Sequence, residues 1–331
     1  MNFDYNEEQQ LLADSVRRYL QKDYDFEARK KILATPQGWS ERVWANFAEM
    51  GLTGLPLSPD YGGFGGGAVD LMSVVEAFGE ALVVEPYLPS MLAAAAIAKG
   101  GTQEQKQAIL PAVAQGTMRL AFTTGERGVI GAPLAQRIVL ARDGRLTLHD
   151  KFNVAAYRTV DDLAAGDVAF EGKGEPLGAA GGVLEEVMDL GAALSCAEAV
   201  GALKFSCDTT LEYLKTRKQF GVPIGAFQAL QHRMVDMFIS YEQARSMACL
   251  ACSKVDQAES AQDRARSVSA AKIRIADAAR HVSQEAVQLH GGMGMTEELK
   301  VSHTFRRLTM IGQTFGDAEH HLERFAQRAG A

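Results

Sequence analysis

The feature that most constrains the fold is a series of long amphipathic helical segments in the second half of the chain. Apolar residues recur every three or four positions from Val183 through Phe205, and again from Phe227 to about Val255. A third segment runs from about Ala265 to Leu289, and a last one begins near Asp317. Helices of this length bury their apolar faces against each other. The sequence therefore predicts a C-terminal helical bundle.

The first half of the chain changes character once. Residues 1–118 have helical periodicity, whereas residues 119–182 contain short apolar runs separated by turns. The runs Arg137–Arg142 and Arg145–His149 flank an Asp-Gly pair, which is a hairpin signal. We therefore predict a mainly α fold with a small β middle domain. Its parts are an N-terminal helical domain (1–118), a β middle domain (119–182) and a C-terminal four-helix bundle (183–331).

Composition excludes several classes of function. The 331 residues carry a formal net charge of −7, which argues against nucleic acid as a main partner, because phosphate binding needs a basic surface. We find no apolar run long enough for a membrane span and no targeting segment in the acidic N-terminus, so we expect a cytoplasmic location. Cys249 and Cys252 have metal-like spacing, but they lie in an apolar helical pattern, and we predict buried thiols and no metal site.

Two short segments at predicted helix ends carry the most specific signals. Residues 217–228 read Arg-Lys-Gln-Phe-Gly-Val-Pro-Ile-Gly-Ala-Phe-Gln, and residues 288–294 read Gln-Leu-His-Gly-Gly-Met-Gly. As simple helix ends, basic residues would complement the helix dipole and glycines would terminate the helices. That explanation accounts for Arg217 and Gly221. It leaves unexplained the polar and aromatic positions Gln219, Phe220, Phe227 and Gln228.

Both segments resemble flavin-contacting signatures of the acyl-CoA dehydrogenase family, and the resemblance extends from the first helix to the last. It implies that Arg217 reaches the pyrophosphate of a neighbouring subunit's FAD, a role that suits the planar guanidinium fork. It also implies that the adenosine portion of FAD passes over the glycine segment, where side chains would block its approach. The positions implied to contact FAD are Arg217, Gln219, Phe220, Phe227, Gln228, Gln288, Leu289, Gly291, Gly292 and Gly294.

The same resemblance shows what this chain lacks. The family's reaction removes an α-proton from an acyl-CoA thioester while a hydride leaves the β-carbon for the flavin, so a carboxylate base is needed. The two positions where the family places this base are Phe315 and Gly191 here, which leaves the catalytic residue unknown. The segment Thr123–Glu126 keeps only part of the pattern that holds the isoalloxazine, and the middle domain is shorter than the family's.

We therefore interpret the chain as one subunit of a hetero-oligomeric acyl-CoA dehydrogenase. In such a heterotetramer, a second acyl-CoA dehydrogenase-like subunit would carry the base and the isoalloxazine site. The expected substrate is an acyl-CoA, and the expected electron acceptor is an electron-transfer flavoprotein or a similar protein. The motifs most resemble small subunits of the pimeloyl-CoA dehydrogenase type and subunits that act on steroid side-chain thioesters, which implies a role in lipid or steroid degradation.

Two alternatives stay open at this point. The first is a self-sufficient, homo-oligomeric dehydrogenase whose base has moved to Asp317 or Glu319. The second is a non-enzymatic assembly protein that has kept the fold and lost the cofactor.

Overall fold

The computed structural model describes residues 5–178 and 181–329, and most of these lie in helices. The described helices are α1 (Glu7–Asp23), α2 (Phe26–Leu33), α3 (Glu41–Glu49), α4 (Ala68–Ala81), α5 (Tyr87–Gly100), α6 (Gln103–Ala114), α7 (Val183–Thr216), α8 (Gln228–Gln257), α9 (Ala261–His290), α10 (Lys300–Gln313) and α11 (Ala318–Ala329). The mainly α fold class is confirmed.

The strands form two small sheets and one short hairpin. They are β1 (Leu120–Thr123), β2 (Val129–Ile130), β3 (Arg137–Arg142), β4 (Arg145–His149), β5 (Phe152–Arg158), β6 (Ala164–Phe170), β7 (Glu175–Pro176), β8 (Lys218–Gln219) and β9 (Val222–Pro223). One sheet has the order β1-β3-β4-β7, in which β1 and β3 are parallel, and the other has the order β2-β6-β5. The predicted Asp143-Gly144 turn joins β3 to β4, with both residues at positive φ.

The chain divides into two compact units. The first unit comprises the described residues of Met1–Phe26, Met72–Val83 and Ala192–Ala331, and the second comprises Glu27–Leu71 and Val84–Gly191. The second unit contains both sheets, and its β-rich core is built around Ile138, Ala121 and Val168. The three-domain division made from the sequence stays a prediction.

In the first unit, α9 is the central helix, because α8, α10 and α11 all pack against it. Ser260 caps α9 by accepting a hydrogen bond from the Asp263 backbone N–H at 3.1 Å. Its apolar positions, including Ile275 and Val282, are fully buried. Helix α8 runs antiparallel to it, since Ser240 contacts His281 at 2.9 Å and an ion pair joins Arg233 to Glu285. This packing places the start of α8 beside the end of α9.

The sequence located the long helices well, and α10 and β5 are among the elements that it did not predict. The third predicted helix begins four residues earlier than expected, at Ala261. Helix α10 was not predicted, because its buried face carries polar residues such as His303 and Arg307 that hide the apolar pattern. Strand β5 was not predicted as a strand, because after Phe152 and Val154 its residues are exposed on both faces.

One expectation about membranes was wrong. We predict no apolar run of sufficient length from the sequence, but helix α7 is long and apolar enough to cross a bilayer by length and composition. Within the structure, 78% of its most apolar window is buried by the rest of the protein. A buried helix of this kind is typical of a protein core, so its hydrophobicity is explained by packing.

Candidate functional site

The segment that links α7 to α8 is a tight hairpin that carries the first predicted cofactor-binding motif. Strands β8 and β9 pair Lys218 with Pro223 and Gln219 with Val222. The two turn residues, Phe220 and Gly221, have φ angles of 53° and 80°. Positive φ at both central positions is the geometry of a type I′ hairpin. Glycine adopts it freely, but a phenylalanine there is strained, which is a feature often found at functional sites.

The base of this hairpin is fixed to the end of α7. The Ile224 N–H donates to the Arg217 carbonyl at 2.8 Å, and the Arg217 N–H donates to the Tyr213 carbonyl at 2.8 Å. A Cβ at Gly225 would lie 3.0 Å from the Leu214 carbonyl, so the hairpin packs closely on α7. The hairpin is thus a rigid projection of the bundle.

The functional side chains of this hairpin face solvent. Phe220 is 91% exposed, and its ring lies edge-to-face with that of Phe227 at a centroid distance of 6.2 Å. Arg217 and Gln219 are also exposed, and within the described part of the chain the Arg217 guanidinium makes no hydrogen bond or ion pair. An aromatic ring and a cation held outward on a strained turn are groups available for a ligand.

The second motif forms the end of α9, and its glycines differ in what surrounds them. A Cβ added at Gly291 or Gly292 would meet nothing within 4 Å, so the backbone is open on that side. At Gly294 a Cβ would lie 2.6 Å from the Val287 carbonyl, so glycine is needed there for the chain's own packing. Leu289 is 7% exposed, which leaves only its backbone for a ligand.

An aromatic contact brings the two motifs together. The Tyr213 ring, just before the hairpin, stacks on the His290 ring with a centroid distance of 4.4 Å and an interplanar angle of 27°. His290 Nδ1 donates to the Ala286 carbonyl at 2.8 Å. Burial lowers the pKa of His290, so this ring is a neutral spacer between the motifs and not a charge that would bind phosphate.

The N-terminus of α8 places the positive end of a helix dipole in the same region. Extending the antiparallel α8–α9 register from Arg233 and Glu285 places Gln228 within about one turn of Gly291. Phe227 precedes α8 without a side-chain cap, and the first turn contains no acidic residue. Uncapped N–H groups and the helix dipole favour an anion at such a terminus. With the Arg217 cation nearby, this end of the bundle suits a diphosphate.

Phe315, one of the two expected base positions, lies in the turn between α10 and α11 and has a φ of 60°. Its carbonyl accepts a hydrogen bond from His321 Nε2 at 3.0 Å. Lys272 is fully buried and donates to the Ile311 and Thr314 carbonyls at 2.8 Å and 2.7 Å. Because of these contacts, the turn is held rigidly and presents a phenyl ring where a carboxylate is expected.

Sequence reasoning missed the two residues that hold this turn. Burial lowers the pKa of His321 to about 4, so the ring is neutral, and burial also lowers the pKa of Lys272. The signal in the sequence that could have identified Lys272 is its position among the small and apolar residues of the buried face of α9. A charged residue in that position requires internal partners, which here are the carbonyls at the end of α10.

The other acidic residues near the expected base positions differ in their surroundings. Asp317 caps α11 by accepting a hydrogen bond from the His320 N–H at 2.8 Å. Glu319 is exposed in the first turn of α11, and Asp189 on α7 is fully buried. In the second unit, Glu126 pairs with Arg142 at 2.8 Å, and the Thr123 hydroxyl donates to the Gly125 carbonyl at 2.7 Å. Capping engages Asp317 and an ion pair engages Glu126, so neither of these two carboxylates has the environment of a free base.

Comparison with known proteins identifies the class to which this fold and this surface belong. The family model for the acyl-CoA dehydrogenase N-terminal domain matches residues 6–117, and that for the acyl-CoA dehydrogenase C-terminal domain matches residues 181–330. The acyl-CoA dehydrogenase IpdE2 of Mycobacterium tuberculosis is 30% identical over 302 residues, which is 91% of each chain. The chain therefore belongs to the acyl-CoA dehydrogenase family.

Solved structures agree with this assignment at the level of fold. The ChsE4-ChsE5 complex from Mycobacterium tuberculosis matches with a TM-score of 0.91 at 23% identity and covers 100% of both chains. The FAD complex of PigA matches with a TM-score of 0.89 at 23% identity, covering 100% of this chain and 99% of that one. The resemblance stated from the motifs is confirmed for family and fold. The individual site residues stay predictions.

Proposed function

We propose that this chain is the subunit of a heterotetrameric, flavin-dependent acyl-CoA dehydrogenase that lacks the base and completes the FAD site of its partner. The complex would introduce an α,β double bond into an acyl-CoA thioester. The observation that carries the proposal is the combination of an outward-facing Arg217–Phe220 hairpin with Phe315 and Gly191 at the expected base positions. The chain presents groups that can bind a dinucleotide, and neither of the two expected base positions carries a carboxylate.

The residues present fit the adenosine and pyrophosphate end of FAD. The exposed Arg217 guanidinium and the start of α8, which has no side-chain cap, provide positive charge for a diphosphate. The open backbone at Gly291 and Gly292 allows a flat group to approach closely. Phe220 offers an exposed ring for stacking.

When bound, FAD supplies the hydride acceptor, and the residues of this chain bind and orient it. Arg217 would pair with the pyrophosphate, Gln219 and Gln228 would hydrogen-bond the adenosine part, and Phe220 with Phe227 would exclude water from it. Gln288 is exposed beside the open glycine backbone and would contact the same part of the cofactor. Proton removal would be left to a carboxylate of the partner subunit.

The relatives support a shared site. ChsE4-ChsE5 is a complex, and PigA has been solved with FAD. A self-sufficient enzyme would need another base in this chain, and the side chain of Asp317 is already engaged in capping α11. A protein that had lost the cofactor altogether would have no reason to keep the strained Phe220 turn or the open glycines.

The proposal is tested by flavin content. The chain would be purified alone and after co-expression with a base-bearing acyl-CoA dehydrogenase subunit. We expect flavin in the complex, loss of that flavin in Arg217→Ala, and partial retention in Arg217→Lys, which keeps the charge but not the planar fork. Full flavin retention by an assembled Arg217→Ala complex would contradict the assigned role.

A further inference from the structure

Tyr213, in the last turn of α7, is joined both to the cofactor-binding hairpin and to the end of α9. Its backbone carbonyl accepts a hydrogen bond from the Arg217 N–H at 2.8 Å, which fixes the base of the hairpin. Its half-buried ring stacks on the His290 ring at a centroid distance of 4.4 Å. Tyr213 is therefore a direct side-chain link between the first motif and the second.

The His290 ring is held in one orientation by its surroundings. It is 4% exposed, and its Nδ1 atom donates to the Ala286 carbonyl at 2.8 Å. The chain turns at Gly291, which has a φ of 62°, and returns so that a Cβ at Gly294 would lie 3.1 Å from the His290 Cβ. The ring is thus enclosed between the α9 backbone and the glycine segment, and the stack joins it to α7.

The stack lies next to the groups that are available for a ligand. Arg217 follows Tyr213 by four residues, or about one helical turn, and Gly291 and Gly292 directly follow His290. A rotation or slide of one ring relative to the other therefore changes the separation between the Arg217 cation and the open glycine backbone. The geometry of the stack sets that separation.

A second contact near this end of the bundle constrains the two motifs less. The ion pair between Arg233 and Glu285 joins α8 to α9, but it lies more than one turn from either motif and both side chains are partly exposed. An ion pair of this exposure restrains position weakly. Two stacked rings, one of them buried, restrain both a distance and an angle.

We infer that Tyr213 and His290 are positioning residues that hold the Arg217 hairpin and the glycine segment at a fixed separation in the lone chain. The half-site for the adenosine diphosphate part of FAD is then formed before the partner subunit or the cofactor binds. This inference rests on the proposed function and specifies how this chain builds its side of the flavin site. A preformed site binds more tightly, because less conformational freedom is lost on binding.

The test is the binding of ADP to the lone chain, measured by isothermal titration calorimetry. Tyr213→Phe keeps the ring, whereas Tyr213→Leu keeps an apolar side chain and removes the ring. We expect ADP to bind the wild-type chain and Tyr213→Phe equally well. Tyr213→Leu should bind ADP about tenfold more weakly, which corresponds to about 1.4 kcal/mol.

Tyr241→Leu is the matched control. It removes another half-buried tyrosine ring from the same unit, about 20 Å along α8 from Phe227. This variant should bind ADP as tightly as the wild-type chain does, because its ring is remote from both motifs.

Urea unfolding of the same variants separates positioning from folding. A residue that only stabilises the fold would weaken ADP binding through the unfolded fraction alone, whereas loss of the stack should weaken binding by a chain that is fully folded. His290→Leu removes the other ring and should have a similar effect. The double variant Tyr213→Leu/His290→Leu should bind ADP no more weakly than either single variant, because each substitution removes the same stack.

Three results would overturn the inference. One is a wild-type lone chain that does not bind ADP, because the half-site would then not be formed without the partner. Another is a folded Tyr213→Leu chain that binds ADP as tightly as the wild-type chain. A third is equal weakening in Tyr241→Leu, which would show that the effect does not come from the stack.

The co-expressed complex separates this inference from the proposed function. If the complex carries no flavin although the lone chain binds ADP and Tyr213→Leu weakens that binding, the positioning role stands and the proposed function fails. If Arg217→Ala removes flavin from the complex while Tyr213→Leu leaves ADP binding by the lone chain unchanged, the proposed function stands and the positioning role fails.

Discussion

The buried carboxyl of Glu76 in α4 should give the protein an unusual dependence of stability on pH. Glu76 is 7% exposed, and the nearest cation, Arg17, has its Nη2 atom 3.7 Å from Oε2. Burial raises the pKa of Glu76 to about 7 from 4.5, and Arg17 and Tyr5 only partly oppose this shift. Loss of hydration therefore outweighs the ion pair.

The sign and the magnitude follow from linkage. A carboxyl whose pKa is higher in the folded state stabilises the fold when protonated, and this contribution is lost as the pH rises from about 4.5 to about 7. Raising the pKa of Glu76 from 4.5 to about 7 corresponds to about 3 kcal/mol. Because Glu76→Gln cannot ionise, the free energy of unfolding of the variant relative to wild type should increase by up to about 3 kcal/mol between pH 5 and pH 8.

The assay is urea unfolding of both proteins at pH 5 and pH 8, compared through their midpoints and slopes. In an Arg17→Met background the gain from Glu76→Gln should be larger, since Arg17 lowers the pKa of Glu76. A variant that loses stability relative to wild type at pH 8 would refute the reasoning, because it would mean that the Arg17–Glu76 pair dominates over desolvation.

Three further predictions concern glycines and the hairpin tip. Gly201→Ala should lower the free energy of unfolding by at least about 2 kcal/mol, because its Cβ would lie 1.8 Å from the Glu76 carbonyl oxygen. The control is Gly312→Ala in α10, where a Cβ would meet nothing within 4 Å. In the same urea assay this variant should be neutral or slightly stabilised. Gly292→Ala should leave the free energy of unfolding within about 0.5 kcal/mol of wild type, because a Cβ there meets nothing within 4 Å, but it should reduce flavin retention by the complex. A flavin content equal to that of wild type would show that no ligand approaches the Gly292 backbone. Phe220→Asn should raise the free energy of unfolding by up to about 1 kcal/mol, because asparagine tolerates the left-handed conformation at this position. The flavin absorbance of the complex should fall in the same variant. Retained absorbance would show that the Phe220 ring does not contact FAD.

Local sequence rules predicted the parts of the fold that depend on local patterns. The Asp143-Gly144 turn and its two strands were located from turn chemistry and alternation, and α8 and α9 from helical spacing. The rules did not find α10, because its inner face holds Arg307, which donates to the Val83 carbonyl at 3.1 Å. That partner is distant in sequence, so no local pattern could reveal it.

The candidate site was predictable as a set of residues but not as a surface. The motifs identified Arg217 and the glycines, yet only the structure distinguishes Gly292, which is open, from Gly294, which packs against Val287. The exposure of Phe238 was also hidden, since the sequence places this residue on an apolar helix without indicating which face the protein itself covers. Burial is a property of tertiary packing, and for that reason helical spacing alone could not separate the two faces.

The central claim is that this chain completes a flavin site that another subunit begins. Its most direct test is the visible spectrum together with the native mass of the chain, alone and co-expressed with a base-bearing subunit. The account predicts a colourless lone chain and a yellow mixed tetramer with one flavin for every two chains. A yellow homotetramer of this chain alone, with one flavin per chain, would contradict it.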